Sequence, residues 1–190
     1  MKPEMKWWRI IARPFALLFI PIHIYFGNTI LLYLLGGLSV IFIGTDLYRI
    51  FSKNPLTSLF KKKEAQRFSS MTSFLVSVFI SFLLFHDQVA FLCLVFIIFG
   101  DLAGKMVGVR FGRTHIIFGR TLEGSLGFLA GSLVSGFILC TILHIEFSWL
   151  LIGAVFATLV ELFSFYLDDN FTVQILTGGC LEALIYFSVI

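Results

Sequence analysis

All fourteen Lys and Arg residues of this chain fall into three short stretches separated by long apolar runs. Lys2, Lys6, Arg9 and Arg13 form the first; Arg49, Lys53, Lys61, Lys62, Lys63 and Arg67 the second; Lys105, Arg110, Arg113 and Arg120 the third. The apolar runs lie near 15–27, 29–51, 71–86, 89–104, 122–143, 147–167 and 173–190. The connections between the basic ones hold Asn28, His86–Asp87 and His144–Glu146, with no Lys or Arg. A crossing helix needs about 20 apolar residues, and basic loops stay on the cytoplasmic side. One topology satisfies every loop: N-terminus cytoplasmic, C-terminus outside, an odd number of crossings. The chain therefore reads as an all-α polytopic membrane helix bundle of about seven hydrophobic segments. The first run is short and contains Pro21, so it is either interfacial or one arm of a hairpin with the second.

Composition agrees. The chain is 58% hydrophobic and only 13% charged, with a mean hydropathy of +0.98, whereas a soluble domain carries about a quarter charged residues. No Pro- or Ser-rich linker divides its 190 residues, which read as a single integral membrane domain. The apolar run after MKPEMKWWRIIARP lacks a small-residue cleavage site and reads as a retained first helix. Cys93, Cys140 and Cys180 stand singly in apolar runs, as small fillers rather than disulfide partners or zinc ligands. The net charge of +3 faces headgroups or a phosphate-bearing ligand, not nucleic acid.

The acids stand out against this background. On the topology above, Asp101, Glu123, Glu161 and the Asp168–Asp169 pair reach one depth, at the inner membrane surface. Carboxylates at that depth either solvate helix ends or form a site, and several converging beside a basic loop point to a site. That loop runs from Gly100 to Arg113 with Gly at 100, 104, 108 and 112. On a helix such spacing leaves a stripe without side chains, open to another backbone or to a phosphate chain. Asp101 and Lys105 are i,i+4 neighbours, and Arg110 and Arg113 follow. Carboxylates can hold Mg²⁺ while Lys and Arg take phosphate oxygens. Gly119-Arg120-Thr121-Leu122-Glu123-Gly124-Ser125 then opens a helix, whose N-terminus favours anions. Asn170 beside Asp169 suits ligand orientation or a turn. Asp46 reads as a polar packing contact and Glu182 as a residue of a lipid-access groove. The Gly127/Gly131/Ser135 face serves packing within the chain or across a homo-oligomer.

With these residues in place, the chain resembles the diacylglycerol/polyprenol kinase family, which includes dolichol kinase, phytol kinase and CTP-dependent diacylglycerol kinases. The matching pieces are Asp101-Leu-Ala-Gly-Lys-Met-Val-Gly108-Val-Arg110-Phe-Gly112-Arg113, Gly119-Arg120-Thr-Leu-Glu123-Gly124-Ser125, and Glu161 with Asp169-Asn170-Phe-Thr172. Glu64-Ala-Gln-Arg67-Phe-Ser is similar to the basic loop before that family's third span. The resemblance covers about 60–190, the expected catalytic half. It implies phosphoryl transfer from CTP to the hydroxyl of a membrane lipid alcohol. Asp101, Glu123 and Asp169 would hold Mg²⁺, with Glu161 as supporting ligand or base. Lys105, Gly108, Arg110, Gly112, Arg113, Arg120, Gly124, Ser125 and Asn170 would hold the nucleotide. Arg120 replaces a more usual Lys, and the family's N-terminal Arg-Lys…His element is not evident beyond Arg13.

A bacterial inner membrane is expected, the endoplasmic reticulum being the alternative, with the site facing the cytoplasm. The layout is also similar to CDP-diacylglycerol synthases. However, Phe118-Gly119-Arg120-Thr121-Leu122 stands where those enzymes carry Pro-Lys-Lys-Thr-Trp, and their Lys-Asp…His-Gly-Gly…Asp-Arg signature is absent. A transporter, the third alternative, would spread its carboxylates across the membrane depth.

Overall fold

The computed structural model describes residues 13–52, 68–116, 119–164 and 168–188. The first basic stretch up to Arg9 and most of the second, from Lys53 to Arg67, lie outside these residues. The described residues are nearly all helical, with no strand among them. Three helical stretches are long and apolar enough to cross a membrane: 13–51, 87–111 and 122–143. The helices Ser70–Leu84 and Phe147–Phe163 are apolar but shorter. The chain packs as two compact units, Met1–Phe79 and Ile80–Ile190.

In the first unit a 3₁₀ turn, Arg13–Leu18, leads into helix α1, Phe19–Ser52. Its backbone leaves helical geometry at Gly27, with φ 83° and ψ 165°, rather than at Pro21. The reason is local. Pro21 sits in the first turn, where its missing N–H leaves no bond unmade, while a positive φ is open to Gly at little cost. Beyond the break α1 is apolar on its outside, with Tyr33, Val40 and Phe51 exposed, and carries Leu31, Leu35, Ser39, Asp46 and Arg49 on a buried stripe. An apolar outer face, with Ser39, Asp46 and Arg49 turned inward, is the reverse of a water-soluble helix. Asp46 and Arg49, each 1% exposed, pair at 3.1 Å. The other Asp46 oxygen accepts the Ser69 backbone N–H at 2.7 Å and the Thr72 hydroxyl at 2.6 Å. Asp46 thus fastens the N-terminus of helix α2 (Ser70–Leu84) to α1. The Ser69 hydroxyl caps that N-terminus by accepting the Thr72 N–H.

The second unit is built around helix α3, Asp87–Phe111. Every residue from Val89 to Ile98 is buried, so α3 is the core and the later helices wrap it. These are α4 (Leu122–Leu143), α5 (Phe147–Phe163) and α6 (Asp169–Ser188). The Phe96 ring lies against Gly136 of α4 and Gly153 of α5, where an added Cβ would stand 3.0 Å from it. The segment expected as a loop after 104 is helical to Phe111. The physical reason is the glycine stripe. A Cβ at Gly104 would meet the Gly124 carbonyl at 3.1 Å, and one at Gly112 would meet the Thr121 side chain at 2.9 Å. Reciprocally, Gly127 faces Val107, and Gly131 faces Ala103 and the Phe99 carbonyl. The two glycine faces therefore pack within the chain, and the close backbone approach holds α3 helical far past its apolar run.

Candidate functional site

Helix α3 changes geometry just ahead of its acid. Phe96–Gly100 forms a π-helical turn, and Asp101 follows it directly. Such turns are frequent at functional sites because they re-aim the next side chain. Asp101 is only 6% exposed, and its carboxylate receives a 2.6 Å bond from the half-exposed Lys105 ammonium one turn on. Apolar surroundings make such a carboxylate costly unless paired.

A second group approaches from the α3–α4 connection. There the backbone doubles back, with the Ile116 N–H donating to the Arg120 carbonyl at 2.9 Å and the Leu122 N–H to the Thr114 carbonyl at 2.9 Å. Gly119, at φ 80°, supplies the turn. The Thr121 hydroxyl caps α4 by accepting the Gly124 N–H at 3.2 Å. Arg120 is thereby presented to the ends of two later helices. Its guanidinium pairs with Glu161 near the end of α5 and, at 2.7 Å, with Asp169 at the start of α6. Asp168 caps α6, accepting the Asn170 backbone N–H at 3.1 Å and its side-chain amide at 2.7 Å. Burial pushes the Asp169 carboxyl, ahead of the apolar run 173–190, above its ordinary value, while the Arg120 guanidinium pulls it back.

These groups surround a cavity of about 210 Å³, whose lining includes Asp101, Lys105, Arg120, Ser125 and Glu161. Gly104, Gly108 and Gly124 form part of its wall. The structure thus brings Asp101, Lys105, Arg120 and Glu161 to one cavity, with Asp169 joined through Arg120. It places the other expected residues differently. Glu123 turns its carboxylate to the loop, accepting the Arg113 and Thr114 N–H groups at 3.1 Å each, and is not among the cavity-lining residues. Arg110 and Arg113 are exposed, and Arg110 lies over the Phe111 ring at 5.6 Å. Gly112 packs on Thr121, and Asn170 is 3% exposed and tied to Asp168.

Two features were not apparent in the sequence. One Glu161 oxygen, Oε2, is buried with no hydrogen-bond partner among the described residues. So are both polar atoms of Gln174, one turn beyond Asn170 on the buried face of α6. A polar residue within an apolar run was the available signal for Gln174. Among the described residues no three His, Cys, Asp or Glu side chains gather at metal-ligand spacing. No protein family, curated protein or solved structure matches the chain.

Proposed function

We propose that this chain is a membrane-embedded lipid kinase, transferring the γ-phosphoryl group of CTP to the hydroxyl of a lipid alcohol at the cytoplasmic surface. The observation that carries this reading is the Arg120 guanidinium held between Glu161 and Asp169, beside the Asp101–Lys105 pair and over one cavity. A cation shared by two carboxylates can exchange them for phosphate oxygens without being left unpaired. The confinement of Lys and Arg to three stretches supports the same reading: an odd number of crossings from a cytoplasmic N-terminus would put this end of the second unit where a soluble nucleotide meets a lipid headgroup.

Phosphoryl transfer needs positioning and charge stabilisation more than covalent help from the protein. The acceptor oxygen attacks the γ-phosphorus in line, the bond to the β-phosphate oxygen breaks, and CDP leaves. Lys105 and Arg120 hold the phosphate oxygens as negative charge shifts toward the leaving group. The hydroxyl proton passes to a carboxylate, for which Glu161 Oε2 is open and Asp169 is the alternative. Mg²⁺ binds through one or two carboxylates plus substrate phosphates; with the triphosphate bound, one or two of Asp101, Glu161 and Asp169 would supply its protein ligands. There it would neutralise charge on the triphosphate. Glu123 instead shapes the loop that presents Arg120.

The test is purified protein, γ-labelled CTP and a panel of diacylglycerol, undecaprenol, dolichol and phytol. Labelled lipid and CDP are expected. Pyrophosphate release with phosphatidate as acceptor would instead establish a cytidylyltransferase. Full activity of Asp101→Asn would remove Asp101 from the site.

A further inference from the structure

At the other end of the second unit lies a larger cavity, about 650 Å³, within the usual range for small-molecule sites. Asp101 and the start of α3 are fourteen residues apart and Asp169 and Glu182 thirteen, so about 20 Å of helix separates this cavity from the candidate active site. Its walls are mainly apolar and aromatic, with Phe85, Tyr186 and Phe187 among them. The Phe85 ring can stand there because residue 178 is Gly: a Cβ at that position would lie 2.2 Å from a ring carbon. At Gly179, also in the lining, an added Cβ would meet nothing within 4 Å. The absent side chain leaves space that belongs to the cavity.

Two polar groups stand in this lining. Glu182 accepts the His86 backbone N–H at 3.0 Å on one oxygen, and its other oxygen pairs with the His86 ring at Nδ1. Each carboxylate oxygen keeps a further lone pair. The His86 side chain is 70% exposed, so its second ring nitrogen is open to a ligand. No Lys or Arg is among the lining residues. A carboxylate among aromatic rings, with no permanent cation beside it, favours an ammonium group both by charge and by the ring faces. With the Nδ1 N–H given to the carboxylate, the other nitrogen of the exposed ring carries a lone pair and can accept an N–H of the same ammonium. The start of a membrane-crossing helix and the exposed Tyr186 and Phe187 are features of the headgroup level of a bilayer.

We infer that this cavity binds the headgroup of an ethanolamine phospholipid, its ammonium held by Glu182, the free nitrogen of the His86 ring and the aromatic rings. The site is separate from the proposed kinase centre and does not depend on that reading. Native mass spectrometry of delipidated full-length protein tests it, with dioleoyl-phosphatidylethanolamine titrated against dioleoyl-phosphatidylglycerol, which has the same chains and phosphate but no ammonium. Wild type is expected to retain one ethanolamine lipid with at least tenfold preference. Glu182→Gln, which keeps an oxygen for the His86 N–H, is expected to bring the preference below threefold. Gly179→Leu starts from a Cβ with no neighbour within 4 Å, extends into the cavity, and is expected to abolish retention with no fall in thermal midpoint. Equal retention of the two lipids by wild type overturns the inference. An undiminished preference in Glu182→Gln, or undiminished retention in Gly179→Leu, does the same. A dimer that Gly179→Leu dissociates would assign the cavity to a second copy and likewise overturn it.

Discussion

Asp46, Arg120 and Gln174 are three polar residues of a mostly apolar chain, and their bonds separate their roles. Asp46 has its partners: Arg49, the Ser69 N–H and the Thr72 hydroxyl. It is structural, as a polar contact expected from the sequence. Asp46→Ala strips three donors of one acceptor and should destabilise the first unit by about 3–5 kcal/mol, read by chemical or thermal unfolding in detergent. Arg120 is shared between two acids, and its loss leaves Glu161 and Asp169 without their cation. Arg120→Gln should lower CTP-dependent transfer by about 100-fold, the scale of losing one preorganised charge-stabilising group. Gln174 is the opposite case, an amide fully buried with neither polar atom bonded among the described residues. An apolar residue of similar volume avoids that desolvation cost, so Gln174→Leu should leave the thermal midpoint unchanged or raise it. A large fall would mean that the amide makes a bond essential to the fold.

At the scale of elements, the α3–α4 seam sets the site. Gly at every fourth position from 100 to 112 was open to two uses in the sequence, helix packing or phosphate approach. The structure shows the first, and packing is what carries Lys105 to the cavity on a helix rather than a loop. Gly131→Val would push a side chain into Ala103 and the Phe99 carbonyl, both 2.7 Å from its Cβ. Overpacking of this kind should cost about 1–3 kcal/mol. Gly37 provides the contrast: its Cβ would meet nothing within 4 Å, and Gly37→Ala should be neutral or stabilise by up to about 1 kcal/mol. Parallel unfolding curves of the two variants check the pair. The sequence offered no means of telling these glycines apart, because the difference lies in what stands opposite them.

At the scale of the whole molecule, three helical stretches among the described residues are long and apolar enough to cross a membrane, in keeping with the low charge. The proposed orientation has a direct test. In a variant without Cys93, Cys140 and Cys180, a cysteine at Arg113 should react with a membrane-impermeant thiol reagent only from the cytoplasmic side. One at His144 should react only from the other side. Labelling of both from one side would overturn the seven-crossing topology. The same map bears on transport, since a pathway through the second unit would open its buried residues to reagent from both faces.

The all-helical class and the apolar segments were legible in the sequence alone, because they depend on local hydropathy, charge and spacing. Asp101 with Lys105 was legible for the same reason: one helical turn joins them. What only the tertiary structure decided were the long-range partnerships. Glu161 and Asp169 are 41 and 49 residues from Arg120, and no local rule says that one guanidinium would hold both. Nor could local rules show that Glu123 turns to its own loop while Glu182 pairs with His86 at the opposite end. Such pairings follow from which helix ends packing brings together, and here packing was set by glycines whose effect lies in the side chains they lack.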